Sequence, residues 1–165
     1  MTDDRVARIQ QQWERERPDL DVSPQGLFGR LHRLADLVRD DIRALYRRYG
    51  LGEGEFDVLA ALRRQGEPYE LAPGVLARHT MVTTGAMTKR LDRLEESGLI
   101  ERHARHDDGR GRAVRLTEAG RTLIDEVFTA HIRNEHRLVA GLDPDQRSAL
   151  EALLGSWLAD VENAD

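Results

Sequence analysis

The sequence predicts a mainly α fold with a small β wing: a winged helix-turn-helix joined to a helical dimerisation region. Three observations predict it. Apolar residues recur at steps of three and four over 27–49, 123–138 and 150–161, the period of a helix with one buried face. Between the first two stretches the patterns run helix, turn, helix, strand, polar loop, strand. The loop in that series, 105–112, concentrates arginine, aspartate and glycine between two short apolar segments.

Each element has a local reason. Asp3 or Asp4 caps a first helix over 3–17, with Val6, Ile9 and Trp13 on one stripe. Pro18 ends it, because proline disfavours helical geometry in the preceding residue. Residues 18–25 hold two prolines and read as a connector. Leu27, Leu31, Leu34, Val38, Ile42, Leu45 and Tyr49 mark a long helix, 27–49, broken by Gly50 to Gly54. Phe56, Val58, Leu59 and Leu62 mark a shorter one, stopped by Gly66 and Pro68. A short strand is expected at 69–71. Pro73 suits the first turn of a helix carrying Val75, Leu76 and Ala77. Thr83 or Thr84 opens the next helix, with Met87, Leu91 and Leu94 inward and Ser97-Gly98 at its end. Strands are expected at 99–103 and 113–116. Thr117 caps a helix with Leu123, Ile124, Val127, Phe128, Ile132 and Leu138 inward. Asp143-Pro144-Asp145-Gln146 has the form of a capping box. The final helix then carries Leu150, Leu153, Leu154, Trp157, Leu158 and Val161. The expected division is 1–50 for the N-terminal helices, 51–117 for the winged lobe and 118–165 for the C-terminal dimerisation helices.

Composition narrows the function classes. Hydrophobic residues at 39% and charged residues at 33% describe a globular chain with a well-solvated surface. The absence of cysteine excludes disulfides and thiolate metal sites. The polar, acidic start is unlike a secretory signal, and no apolar run nears the length of a membrane span, so a cytoplasmic location is expected. No phosphate loop, nucleophile elbow or HExxH motif occurs, so neither catalysis nor a cofactor is expected. The net charge is −5, yet residues 75–115 carry +3 while 141–165 carry −5. A basic element in an acidic body is the layout of a nucleic-acid reader.

In a winged helix-turn-helix the second helix enters the major groove. Met87, Leu91 and Leu94 fall within about 60° of each other around the helix, and Gly85, Thr88, Lys89 and Asp92 lie opposite. Thr83, Thr84 and Thr88 can bond base edges or phosphates. Gly85 allows close approach to the duplex, and Lys89 is the sole lysine of the chain. Arg110 and Arg112 in the wing have the reach for a minor groove or a phosphate. An ordinary solvated hairpin would also carry such arginines; their combination with the helix pair and the threonines is what points to DNA. One winged unit contacts little DNA, so the terminal helices are expected to form a homodimer.

Residues 51–120 resemble the MarR family of bacterial regulators. The resemblance rests on Thr83-Thr84-Gly85-Ala86-Met87-Thr88-Lys89-Arg90-Leu91-Asp92-Arg93-Leu94-Glu95, on Gly98-Leu99-Ile100-Glu101-Arg102, and on Asp108-Gly109-Arg110 leading to Leu116-Thr117-Glu118-Ala119-Gly120. It implies a dimeric repressor bound to a pseudo-palindromic operator. The extra helix with Trp13, followed by Arg17-Pro18-Asp19, is similar to the urate-responsive, PecS-like branch. That likeness implies a ligand site from Trp13, Asp57, Arg90 and Arg102, taking urate or a related purine. Arginine suits a planar anion through paired hydrogen bonds and stacking. Tryptophan stacks on flat heterocycles. The plainer roles stay open: Trp13 as packing, Asp57 paired with Arg102, Arg90 on phosphate. A phenolic anion fits the same chemistry. A metal at His103 and His106, or a DNA-binding protein without a ligand, are the other readings.

Overall fold

The computed structural model describes residues 4–80, 83–104 and 112–164. The chain divides into two compact units, 1–45 and 46–165.

In the first unit, α1 (Arg5–Glu16) lies along the N-terminal part of α2 (Ser23–Arg47). Asp4 caps α1 by accepting from the Ala7 amide at 2.8 Å. The same carboxylate pairs with Arg30 of α2 at 2.8 Å. The Ala7 hydrogen bond, with Arg30 beside it, holds the Asp4 carboxyl below its ordinary range. Val6 of α1 rests over Gly29 of α2, where an added Cβ would stand 2.7 Å from Val6 Cγ1. The long helix begins earlier than the periodicity suggests. Pro24 sits in its first turn, where a missing N–H costs nothing, and Asp21 accepts from the Ser23 amide at 2.9 Å.

The second unit holds the winged lobe and the last two helices. α3 (Glu53–Arg63) is its centre. It packs against α4 (Pro73–His79), α5 (Thr84–Glu96), α6 (Glu118–Leu138) and the sheet. β1 (Glu70–Leu71), β2 (Ile100–Ala104) and β3 (Arg112–Leu116) form an antiparallel sheet in the order β1-β3-β2. Arg102 faces Val114, and Ala104 faces Arg112. Val58, Leu59, Leu62, Leu76, Met87, Leu91, Leu94, Ile100, Val114, Ile124 and Val127 make the core. The Met87, Leu91 and Leu94 stripe therefore faces inward, as its spacing predicts. At the head of the lobe, Tyr46 stacks on Phe56 with ring centres 4.1 Å apart and shares a hydrogen bond of 3.2 Å with His131 Nδ1.

Thr117 caps α6 through the Gly120 amide at 3.0 Å, and its hydroxyl donates to the Gly98 carbonyl at 2.8 Å. Gly120 sits directly against the Leu99 carbonyl. Asp143 and Gln146 form the expected capping box at the start of α7 (Pro144–Glu162). Two expectations about burial do not hold in the single chain. Phe128 is 48% exposed, and α7 buries no residue at all: Leu150, Leu153, Leu154, Leu158 and Val161 all face outward. The periodicity identified an apolar face correctly; what covers such a face is a separate matter. Among the described residues no helix is long and apolar enough to cross a membrane.

Candidate nucleic-acid interface and ligand site

α5 is opened by Thr83, whose hydroxyl accepts from the Ala86 amide at 3.3 Å. This satisfies one of the helix's unpaired first-turn N–H groups. Thr84 is its first residue. Gly85, Thr88 and Lys89 are all exposed along the flank opposite the buried stripe. Arg112 opens β3 and is exposed. Arg110 and the rest of the loop tip lie outside the described residues. The two-sidedness required of a groove-reading helix is thus present: one flank docks on aliphatic side chains, the other offers polar groups.

The outer flank is braced by the wing strand. Arg102 of β2 reaches Asp92 of α5 with Nη2, and its Nε lies 3.2 Å from Glu95. The Arg102 amide also donates to Glu95 at 3.3 Å. Arg102 is therefore engaged by α5 carboxylates, and the pairing with Asp57 left open above does not occur. Asp92, read as an outward residue, is half exposed and held by this arginine.

Two arginines of α5 reach α3. Arg93 pairs with Glu55 of α3 at 3.2 Å. Arg90 turns toward α3 and places Nη1 3.9 Å from Asp57 Oδ2. That distance is a loose ion pair without a hydrogen bond. Nη1 is closed to solvent and has no hydrogen-bond partner. An unsatisfied buried donor costs about 1–3 kcal/mol. Asp57 is correspondingly uneasy. Burial raises its pKa, and nearby Glu53 raises it further, against the opposing charges of Arg90 and Arg64. The structure thus brings Asp57 and Arg90 together. It places Arg102 with Asp92 and Glu95. Trp13 is on α1 in the other unit, 47% exposed.

Since the folded-state pKa of Asp57 lies above the ordinary carboxylate value, the folded chain binds a proton more readily there than the unfolded chain does. Its ionisation therefore lowers stability as pH rises from the ordinary carboxylate range through the raised pKa. Asp57→Asn is expected to raise the unfolding midpoint at pH 7 and to lose that advantage near pH 4. An equal midpoint at pH 7 would show that Arg90 fully offsets the burial.

Sequence reasoning missed two features of the site. Gly54 was read as part of a helix break, yet it lies in the first turn of α3, where Arg90 covers it. The carboxylates that hold Arg102 were also missed. Their only sequence signal is the α5 spacing, which puts Asp92 and Glu95 on neighbouring rows. Among the described residues no group of three or more His, Asp or Glu could hold a metal ion. His103 instead pairs with Glu70 at 3.0 Å, and His106 lies outside the described residues.

Comparison with known proteins agrees with this architecture. A family model described as MarR family matches residues 49–111. The HTH-type transcriptional regulator PecS of Dickeya dadantii is 38% identical over 150 residues, covering 91% of this chain and 90% of that protein. An HTH-type transcriptional repressor of Mycobacterium tuberculosis is 30% identical over 134 residues, covering 81% of this chain and 93% of that one. Among solved structures, a mutant MarR from E. coli complexed with operator DNA superposes with a TM-score of 0.69 at 25% identity, covering 83% of this chain and 95% of that chain. AbsC from Streptomyces coelicolor has a TM-score of 0.75 at 20% identity, covering 87% and 98%, which speaks to the fold. With PecS matching across nine-tenths of both chains, the assignment is plain: this chain belongs to the MarR family.

Proposed function

We propose that this MarR-type DNA-binding transcriptional regulator is a repressor that lets go of its operator when a small planar anion, urate or a related purine, binds at Arg90. Thr83, Thr84, Gly85, Thr88 and Lys89 contact the major groove, and Arg110 and Arg112 of the wing grip the flanking minor groove or phosphates. Two chains associate through the terminal helices and read the two halves of a pseudo-palindrome about one DNA turn apart. The exposed apolar row of α7 supports that association, because a leucine face of this extent is a poor surface to leave in water.

One observation carries the ligand: Arg90, on the helix that reads DNA, points a buried and unpartnered Nη1 at a half-buried carboxylate 3.9 Å away. An incoming anion supplies the missing acceptor and repels Asp57. The reader helix then shifts, provided the anion binds the DNA-free arrangement better than the DNA-bound one. Arg102 links the wing strand to α5.

The test is a gel shift on the gene's own upstream region with urate, xanthine, salicylate and zinc in separate arms. Release by urate or xanthine supports the reading. Release by salicylate alone moves the ligand to the phenolic class. Release by zinc alone favours a metal, and no release by any of them favours a ligand-independent DNA binder.

A further inference from the structure

Glycine is an uncommon choice inside a helix, since it gives up more backbone freedom than alanine on folding. Gly54 lies in the first turn of α3 without a positive φ, so backbone geometry does not require it. The space its side chain would fill is taken instead. A Cβ built there would stand 2.3 Å from Arg90 Nε, 2.4 Å from Cζ and 2.8 Å from Nη2. Three atoms of the guanidinium at such distances mean that the group lies against the α3 backbone itself. On either side stand Glu53 and Glu55, with Glu55 already held by Arg93.

We infer that Gly54 is a positioning residue: its missing side chain forms the seat that presents Arg90 to the anion beside Asp57. Without the seat, the guanidinium must move outward by more than an ångström to regain ordinary contact distance. Its Nη1 then leaves the solvent-free position next to Asp57. The displaced atoms are the far end of a flexible side chain, so the backbone can stay where it is and Gly54→Ala folds. The part of this inference that concerns the effector rests on the function proposed above. The part that concerns the seat does not.

Both parts are tested together by thermal unfolding of the native chain, Gly54→Ala, Arg90→Ala and the double variant, with urate titrated against each operator complex. Alanine is the better helix former, so it raises the midpoint wherever nothing occupies its Cβ space. In the Arg90→Ala background, adding Gly54→Ala raises the midpoint by about 2 °C. In the native background the same change leaves it unmoved or lowers it. Gly54→Ala keeps its operator affinity within about threefold and needs about tenfold more urate for half-release. An equal rise in both backgrounds overturns the seat, whatever urate does. A coupled midpoint with an unaltered urate requirement overturns the positioning role. If urate fails to release even the native protein, the effector reading and the positioning role fall together, and the unfolding cycle still decides whether the seat exists.

Discussion

Arg90→Ala is expected to hold its operator at urate concentrations that empty the native protein. The change removes the guanidinium that would accept the anion and relieves the buried, unpartnered Nη1 that makes the native site receptive. Coupling between two sites in a regulator commonly lies in the range of about 1–3 kcal/mol, so the urate needed for half-release should rise on the order of 100-fold. Arg90→Lys should fall between the two. A lysine restores the charge but not the planar, two-pronged donor geometry that suits a heterocyclic anion. Each variant's own affinity without urate is the reference, since Arg90 also helps dock α5 on α3. Measured by gel shift or fluorescence anisotropy, release of Arg90→Ala at the native urate concentration would put the ligand somewhere else.

The largest effect on stability is expected from Gly120→Ala. A Cβ at this position would stand 1.9 Å from the Leu99 carbonyl oxygen and 2.9 Å from its carbon. Both are backbone atoms, unlike the movable guanidinium over Gly54. The Leu99 carbonyl is also pinned, because it accepts from the Thr117 amide at 3.1 Å. Thr117 in turn bonds the Gly98 carbonyl and caps α6. Relief of the clash must therefore lift the start of α6 away from the entry to β2. Overpacking of this kind costs up to about 3 kcal/mol. In urea unfolding the midpoint should fall with little change in slope. A loss under about 0.5 kcal/mol, the scale of an ordinary surface substitution, would show that α6 is not held at this contact.

Much of the lobe was legible because its signals are local. The Met87, Leu91 and Leu94 row needs only the 3.6-residue period to be seen as an inner face. Thr83, Thr117 and Asp143 each precede an apolar row and each cap the helix expected. The ends of elements were harder. Pro24 looked like part of a connector, yet proline fits a first turn, so α2 begins at Ser23. Gly54 looked like a breaker for the opposite reason: nothing in its neighbours along the chain reveals that a residue 36 positions later fills its side-chain space.

The candidate site was partly legible. Asp57 and Arg90 came from the family likeness, and they do face each other. Arg102 was singled out with them but is held by Asp92 and Glu95. A strand residue's partner depends on how a sheet packs on a helix, and one-dimensional spacing does not carry that information. The leucine row of α7 marks the same boundary. Its period shows that a face is apolar, while the surface that covers it belongs to tertiary or quaternary contacts.

The exposed flank of α5 is proposed to read a specific DNA sequence. Titrating the purified protein, at physiological ionic strength and without effector, against its own upstream region and a scrambled duplex of equal length tests it most directly. The native sequence is expected to bind about 10³-fold or more tightly than the scrambled one, a preference reduced by substitutions at Thr88 and Lys89. Equal affinity for the two duplexes would contradict it.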